Sequence, residues 1–404
     1  MTSMGQALDV AAVRAHFPAL RAGFAHFDGP GGSQTPEVVG RAVHDAMVAP
    51  MANRASVTEA ERNAETIVRD ARRAMGDLVG ADPGGVVFGR SMTQLTFDLA
   101  RTLAGSWGPG DEVVVTRLDH DANVRPWVIA AERAGVTVRW IDFDPATSEL
   151  VTDELGSVLG ERTRLVAVTG ASNLLGTRPD LPLIADRVHA AGALLFVDGV
   201  HLTAHAAIDQ PALGPDFFAC SPYKFFGPHC GVLTARPELL ETLRPDKLAP
   251  SSNDVPERFE LGTLPYELLA GTSAAVDFIA GLLGSDGDRR ERLVASMQAV
   301  ERHEDALRDR LEHALAALPG VTLHSRAARR TPTLLITFAD RAADEAYRFL
   351  ASLGVNAPAG SFYAYEAARR LELPDGGLRI GLAPYTDDND IDRLLDGLGR
   401  FTRG

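Results

Sequence analysis

Between about residues 85 and 235 the chain repeats one rhythm. Short apolar, β-branched runs recur at GVVFG (85–89), EVVVT (112–116), TVRWIDF (137–143), RLVAVTG (164–170), ALLFVDG (193–199), FFACS (217–221) and GVLTA (231–235). Amphipathic patterns such as LTFDLARTLAGSW, NVRPWVIAAERAG and LPLIADRVHAAG separate most of them. Strands that are apolar throughout are covered on both faces, so the alternation predicts an α/β fold with a mostly parallel seven-stranded sheet between helices. No helical pattern separates the last two runs, and that pair is expected to be antiparallel.

The flanks have a different texture. A short N-terminal helix and the loop FDGPGGSQTP precede helical patterns over about 37–50 and 57–80. Past residue 285 a long charged stretch, DRRERLVASMQAVERHEDALRDRLEHALAALPG, carries an apolar stripe and reads as one helix. TPTLLITFA then reads as a strand and 342–353 as a helix. GLRIGLAPYTDDNDIDRLLDGLGRF reads as a strand followed by a helix opening in aspartates that can cap it. The expected division is a large domain over 36–285 and a smaller α+β domain over 286–404.

Composition narrows the function classes. Across 404 residues, 45% hydrophobic and 23% charged content is that of a globular chain with sizeable cores. Its 40 basic and 54 acidic residues give a net charge of −14, which argues against nucleic acid or an anionic membrane as partner. Two cysteines make neither a disulfide framework nor a zinc site, and a reducing, cytoplasmic setting is expected. The opening MTSMGQALDVAAVRAHFPAL lacks a signal-peptide pattern, and no apolar stretch reaches the roughly 18 residues of a membrane span.

In an open parallel sheet, ligands sit beyond the carboxyl ends of the strands. LDHDAN, ASNLLGT, DGVH and SPYK follow four of the expected strands, placing His120, Asn123, Asn173, Asp198, His201, Ser221 and Lys224 around one mouth. Lys224 lies in an aromatic run, YKFF, where desolvation lowers an amine's proton affinity and frees it as a nucleophile. The alternative is a lysine that snorkels into solvent. Asp198 ends a buried strand, where a carboxylate is costly without a partner; a turn aspartate is the plainer reading. An aspartate on one strand end and a lysine on a later one suit pyridoxal phosphate, whose ring nitrogen the carboxylate holds protonated. His120 is placed to stack on such a ring or carry a proton, or is a surface turn histidine. GRSMTQLT (89–96) runs from strand to helix, so Thr93 and the first amides can meet a phosphate. GPGGS (29–33) lacks the Gly-Lys-Ser/Thr ending of a phosphate loop and is expected to be a flexible loop beside the site. Arg379 is suited to bidentate carboxylate binding, unless it is merely an arginine on a half-exposed strand.

Taken together, HFDGPGG, DHDANVRPW, SNLLGT, VDGVH, SPYKFFGP, RFELGT and LRIGL resemble the class V aminotransferase group of fold-type-I pyridoxal phosphate enzymes. Within it the nearest likeness is to cysteine desulfurases and selenocysteine lyases, from HFDGPGG to DIDRLL. The resemblance implies pyridoxal 5'-phosphate as cofactor, a small amino acid as substrate and a homodimer with sites at its interface. It implies that Lys224 is the Schiff-base lysine, that Asp198 partners the ring nitrogen, and that His120 stacks on the ring and joins Lys224 in catalysis. Asn173 falls to the phenolic oxygen and the substrate; Ser221, Thr93 and the adjoining Met92 to the phosphate; Thr263 to the phosphate of the other subunit; Arg379 to the substrate carboxylate. His201 and Tyr223 also contact the cofactor, standing where relatives commonly carry glutamine and histidine. Residues 1–35 are expected to line the site and pack on the small domain.

One departure matters most. Desulfurases carry a reactive cysteine on a small-domain loop, and no cysteine follows Cys230 here. The matching stretch, GVNAPAGSFYAYEAARR, offers Ser361, Tyr363 and Tyr365, with Tyr363 the expected substrate contact. Persulfide formation needs an attacking thiolate. The expected activity is therefore a C–S lyase or another β-eliminating lyase. An aminotransferase, an amino-acid epimerase and a non-catalytic binding protein of the same fold are the alternatives. Cys220 is expected in the core; Cys230, beyond the FGPH turn, lies nearer the site. The substrate's β-substituent is expected near His26, Tyr363 and Tyr365.

Overall fold

The structure, a computed structural model, describes residues 6–403; the first five residues of the stretch read for a signal peptide, and Gly404, lie outside them. The strands are β1 (Ala25–His26), β2 (Val86–Gly89), β3 (Glu112–Thr116), β4 (Thr137–Ile141), β5 (Thr163–Thr169), β6 (Leu194–Asp198), β7 (Phe217–Cys220), β8 (Gly231–Ala235), β9 (Val321–Leu323), β10 (Thr333–Phe338), β11 (Val355–Asn356), β12 (Ala359–Gly360) and β13 (Gly377–Gly381). Seven of them form one sheet in the order β2-β8-β7-β6-β5-β3-β4. β8 runs antiparallel to both neighbours and every other adjacent pair is parallel.

The unbroken apolar runs are explained by what covers each face. Val113, Val115, Leu165, Phe196, Phe217 and Leu233 pack in one core, while Val114, Val166, Val197, Phe218 and Val232, one residue along, pack in the other. Each such side chain contributes roughly 1.5–3 kcal/mol on burial. Only β4, at the edge, alternates exposed and partly buried positions. Helix Glu59–Val79 begins at a capping box, where Thr58 and Glu61 satisfy each other's backbone amides. Helix Tyr266–Ala280 packs against it and against helix Glu37–Val48.

β12-β13-β10-β9 form a second, antiparallel sheet. Helices Arg289–Ala316, Ala343–Ser352 and Asp388–Arg403 contribute Leu311, Leu350 and Leu394 to a third core with Leu334, Ile336 and Ile380 of this sheet. β1 joins that end of the molecule: Ala25 pairs with Val355 and His26 with Asn356, in parallel with β11. Gly29–Gly31, expected as a flexible loop, instead forms a 3-10 turn against β13. The approach is close enough that a Cβ at Gly381 would lie 2.1 Å from Pro30 Cδ. No helix among the described residues is long and apolar enough to cross a membrane.

Candidate active site

The parallel register brings the strand ends level. Thr169 at the end of β5 pairs with Asp198 at the end of β6, and Asp198 with Ala219 of β7. Beyond β7, Pro222–Lys224 make a 3-10 turn that lifts Lys224 to the mouth. Its Nζ donates to the carbonyl of Pro30 and lies 4.8 Å from the Tyr223 ring centroid. Burial, seconded by the Arg379 charge and opposed by Asp198, pulls the Lys224 amine down to about 7. Burial likewise pushes the Asp198 carboxyl up to about 6. The Val200 amide donates to Asp198 Oδ1 at 2.9 Å.

The turn after β3 is built on an aspartate that sequence reasoning missed. Fully buried Asp119 accepts from Thr116 Oγ1 and, at 2.7 Å, from Asn123 Nδ2, and Asn123 Oδ1 accepts from Trp127 Nε1 at 3.1 Å. Burial drives the Asp119 carboxyl up to about 8 despite those donors. Asn123, expected at the mouth, is committed to this network and does not line the cavity. What the network presents is His120, whose Nδ1 accepts from the Ala122 amide at 3.0 Å and so leaves the neutral ring's proton on Nε2. Burial and the Lys224 charge push His120 down to about 4.

Arg379 comes from the middle of β13 and is 3% exposed, so it is not a half-exposed strand arginine. Nη1 donates to the Asn173 carbonyl at 3.0 Å, and the guanidinium sits 3.6 Å from the Phe362 ring centroid. Burial, opposed by Asp28, lowers its proton affinity to about 9. Asn173 Nδ2 donates to the Phe362 carbonyl at 2.9 Å, while Asn173 Oδ1 and Arg379 Nε are buried with no partner. Phe362 and Tyr363 both have left-handed backbones, at φ 53° and 58°. Such conformations cost of order 1–3 kcal/mol each and persist only when neighbours hold them. Here Asn173 holds one carbonyl, and the Asp121 amide donates to the other at 2.8 Å.

His201 is buried, and its Nε2 lies 3.0 and 2.9 Å from the hydroxyls of Thr331 and Thr333. Burial, followed by the neighbouring His205, keeps it neutral far below the usual imidazole range. Opposite, Ser91 caps helix Met92–Ala104 by accepting from the Gln94 amide at 3.1 Å. Met92 and Thr93 turn the start of that helix toward the cavity, as does Ser221 from the end of β7. Tyr223 stacks on His229 at 4.7 Å and 9°.

These groups line one cavity of about 620 Å³, which gathers Lys224, Asp198, His120, Asn173, His201, Ser221, Thr93, Met92, Tyr223, Tyr363 and Arg379. Pro30 also lines it, from the GPGGS loop expected beside the site, as do Phe97, Asp121, Arg125 and Phe362, which were not singled out in the sequence. A signal existed for two of them, since Asp121 and Arg125 sit four apart in DHDANVR and form an ion pair at 2.9 Å. His26, Ser361 and Tyr365 do not line the cavity, and Thr263 is exposed away from it on its own chain. Neither do the cysteines. Cys220 is buried at the end of β7 with its thiol held far above the usual range, and burial pushes Cys230, beside Thr272, up to about 11.

A family model described as Aminotransferase class-V matches residues 25–394. A Mycobacterium tuberculosis protein named as uncharacterized is 34% identical over 394 residues, covering 97% of this chain and 99% of its own. A probable cysteine desulfurase of Pseudomonas aeruginosa is 31% identical, with 96% and 97% covered. Among solved structures, the cysteine desulfurase CsdA of Escherichia coli superposes with a TM-score of 0.87 at 27% identity over 98% of each chain.

Proposed function

The chain belongs to the class V aminotransferase family and is a pyridoxal phosphate-dependent enzyme, and on that premise we propose that it is a β-eliminating lyase acting on a small amino acid, most readily a C–S lyase. The observation that carries this reading is the want of any thiol at the cavity. Without an attacking thiolate the substrate's sulfur leaves by elimination rather than by transfer to the protein.

The residues present suit the cofactor. Asp198 offers a buried carboxylate to a ring nitrogen, and Asn173 Oδ1 is a buried polar atom still in need of a partner. The capped helix start at Met92 and Thr93, with Ser221, offers donors to a phosphate. His120 would cover the ring, His201 and Tyr223 would flank it, and Thr263 would serve the other subunit of a homodimer. When bound, pyridoxal phosphate supplies an electron sink for the charge left on a substrate α-carbon. Arg379 pairs with the substrate carboxylate through Nη and Nε donors and fixes which bond faces Lys224. Lys224 Nζ, free in part near neutral pH, accepts the α-proton. The Cβ–S bond then breaks with its electron pair on sulfur, and uptake of one water yields pyruvate, ammonia and the thiol. The division into a large domain over 36–285 and a small one over 286–404 goes with this reading, the cavity drawing on both.

The test is to incubate holoenzyme with cysteine, cystine, S-substituted cysteines and alanine. Pyruvate formed from β-substituted substrates without an amino acceptor is expected. Keto acid formed only with an acceptor would overturn elimination in favour of transamination, and exchange of the α-proton alone would mean epimerisation. A protein that gains no visible absorption on adding pyridoxal phosphate would sink the enzyme altogether.

A further inference from the structure

Tyr363 presents a large apolar ring to open solvent at the mouth of the cavity. It is 77% exposed, yet its backbone is left-handed, a conformation that residues other than glycine rarely adopt. Two consecutive left-handed residues aim this ring and that of Phe362, and two hydrogen bonds from elsewhere in the chain hold the arrangement. Strain maintained in this way belongs where side-chain direction matters. Phe362 is already in use, lying on the Arg379 guanidinium. The Tyr363 ring instead stands 5.6 Å from the His120 ring at 35°, covering no other ring among the described residues.

The charges around it are already paired. Arg125 meets Asp121 at 2.9 Å and Glu366 at 3.3 Å, and Glu366 also meets Arg117 at 3.2 Å. A charged substituent beside Tyr363 would compete with these pairs. A neutral, flat one would lie on Tyr363, with Phe97 supplying further apolar lining, and break none.

We propose that Tyr363, aimed by the strained Phe362–Tyr363 turn, is a specificity-determining residue and that the substrate's β-sulfur carries a neutral aromatic group. This rests on the lyase reading for the chemistry but concerns binding, so the two can fail separately. α-Methyl amino acids have no α-proton to lose and serve as unreactive probes. Calorimetric titration of the holoenzyme is expected to show α-methylphenylalanine binding about tenfold more tightly than α-methylserine or α-methylaspartate. In Tyr363→Ala that preference falls to about twofold, and in Tyr363→Phe it is kept, since the flat face and not the hydroxyl carries it. Equal binding of the three probes by the native protein would overturn the proposal, as would tighter binding of the acidic one. So would a preference unchanged in Tyr363→Ala, the result if a second copy of the chain covers the ring. If the aromatic probe is preferred but S-benzylcysteine yields no pyruvate, the subsite stands and the lyase reading falls. If every S-substituted cysteine yields pyruvate alike and binding shows no preference, the reverse holds.

Discussion

At the scale of single residues, the site is governed by groups forced away from their ordinary protonation. Lys224 in the folded apoprotein titrates near 7 against 10.5 for a free lysine. Between those values the folded chain holds fewer protons than the unfolded one, so stability rises with pH across pH 7 to 10.5 and gains nothing from this group below pH 7. Lys224→Met is expected to flatten that rise and to make the apoprotein more resistant to urea at pH 7, which paired denaturation curves at pH 7 and 9.5 would check. Asp198 has the opposite sense toward its ligand. Its carboxyl, raised to about 6, becomes neutral as pH falls through that value, and the apoprotein's affinity for pyridoxal phosphate is expected to fall with it. Asp198→Asn should bind weakly at every pH and lose that dependence. Asp198 was legible in the sequence because it closes an apolar strand run with a charge, and Lys224 because its amine stands in the aromatic run YKFF. His201 was legible as a position, but its threonine partners were not, since Thr331 and Thr333 lie 130 and 132 residues away. Asp119 was hidden among the polar letters of LDHDAN, where only the fold reveals two buried side chains, Thr116 and Asn123, converging on it.

At the scale of elements, the phosphate end depends on how closely helix Met92–Ala104 can approach the sheet. A Cβ at Gly231 would stand 2.2 Å from the Ser91 carbonyl carbon and 2.4 Å from the Met92 nitrogen. Both are backbone atoms, so Gly231→Ala must push the helix start away from β8. Charge-assisted hydrogen bonds of the kind made to a phosphate contribute about 1.5–3 kcal/mol. The variant is therefore expected to lose about tenfold in affinity for pyridoxal phosphate while its affinity for unphosphorylated pyridoxal hardly changes; fluorescence titration with both ligands would show it. The strands of the large sheet were readable because each is bounded by turn residues and apolar on both faces. Helix Tyr266–Ala280 was not, because it buries residues around much of its girth, from Leu269 and Val276 round to Gly271 and Ala275, and so lacks a clean polar stripe. β1 and β11 escaped for a simpler reason: two residues carry no periodicity.

At the scale of the whole molecule, both thiols are buried, Cys220 in the core of the large sheet and Cys230 beside Thr272, and neither stands on the cavity wall. Replacing both, as Cys220→Ala with Cys230→Ala, is expected to cost about 1–2 kcal/mol of stability and to leave pyruvate formation within about threefold. Loss of activity beyond the loss of folded protein would instead make one of them a participant. Thr263, exposed on its own chain, is expected to matter only in the proposed homodimer. Thr263→Ala should weaken cofactor binding in concentrated protein, and dilution below the dimer's dissociation range should do the same to the native chain; sedimentation alongside absorbance would follow both. The seam between β1 and β11 bears on how such a site comes into being. His26 and Asn356, which meet there, are 330 residues apart, and the Pro30 carbonyl that receives Lys224 lies on the early side of that seam. On the ribosome, the segment around Pro30 emerges long before β11 and β13 exist to anchor it. The large sheet can fold during synthesis, but the cavity closes only when the late strands arrive. The wall that Phe362, Tyr363 and Arg379 give the cavity is thus the last part of it to be set in place.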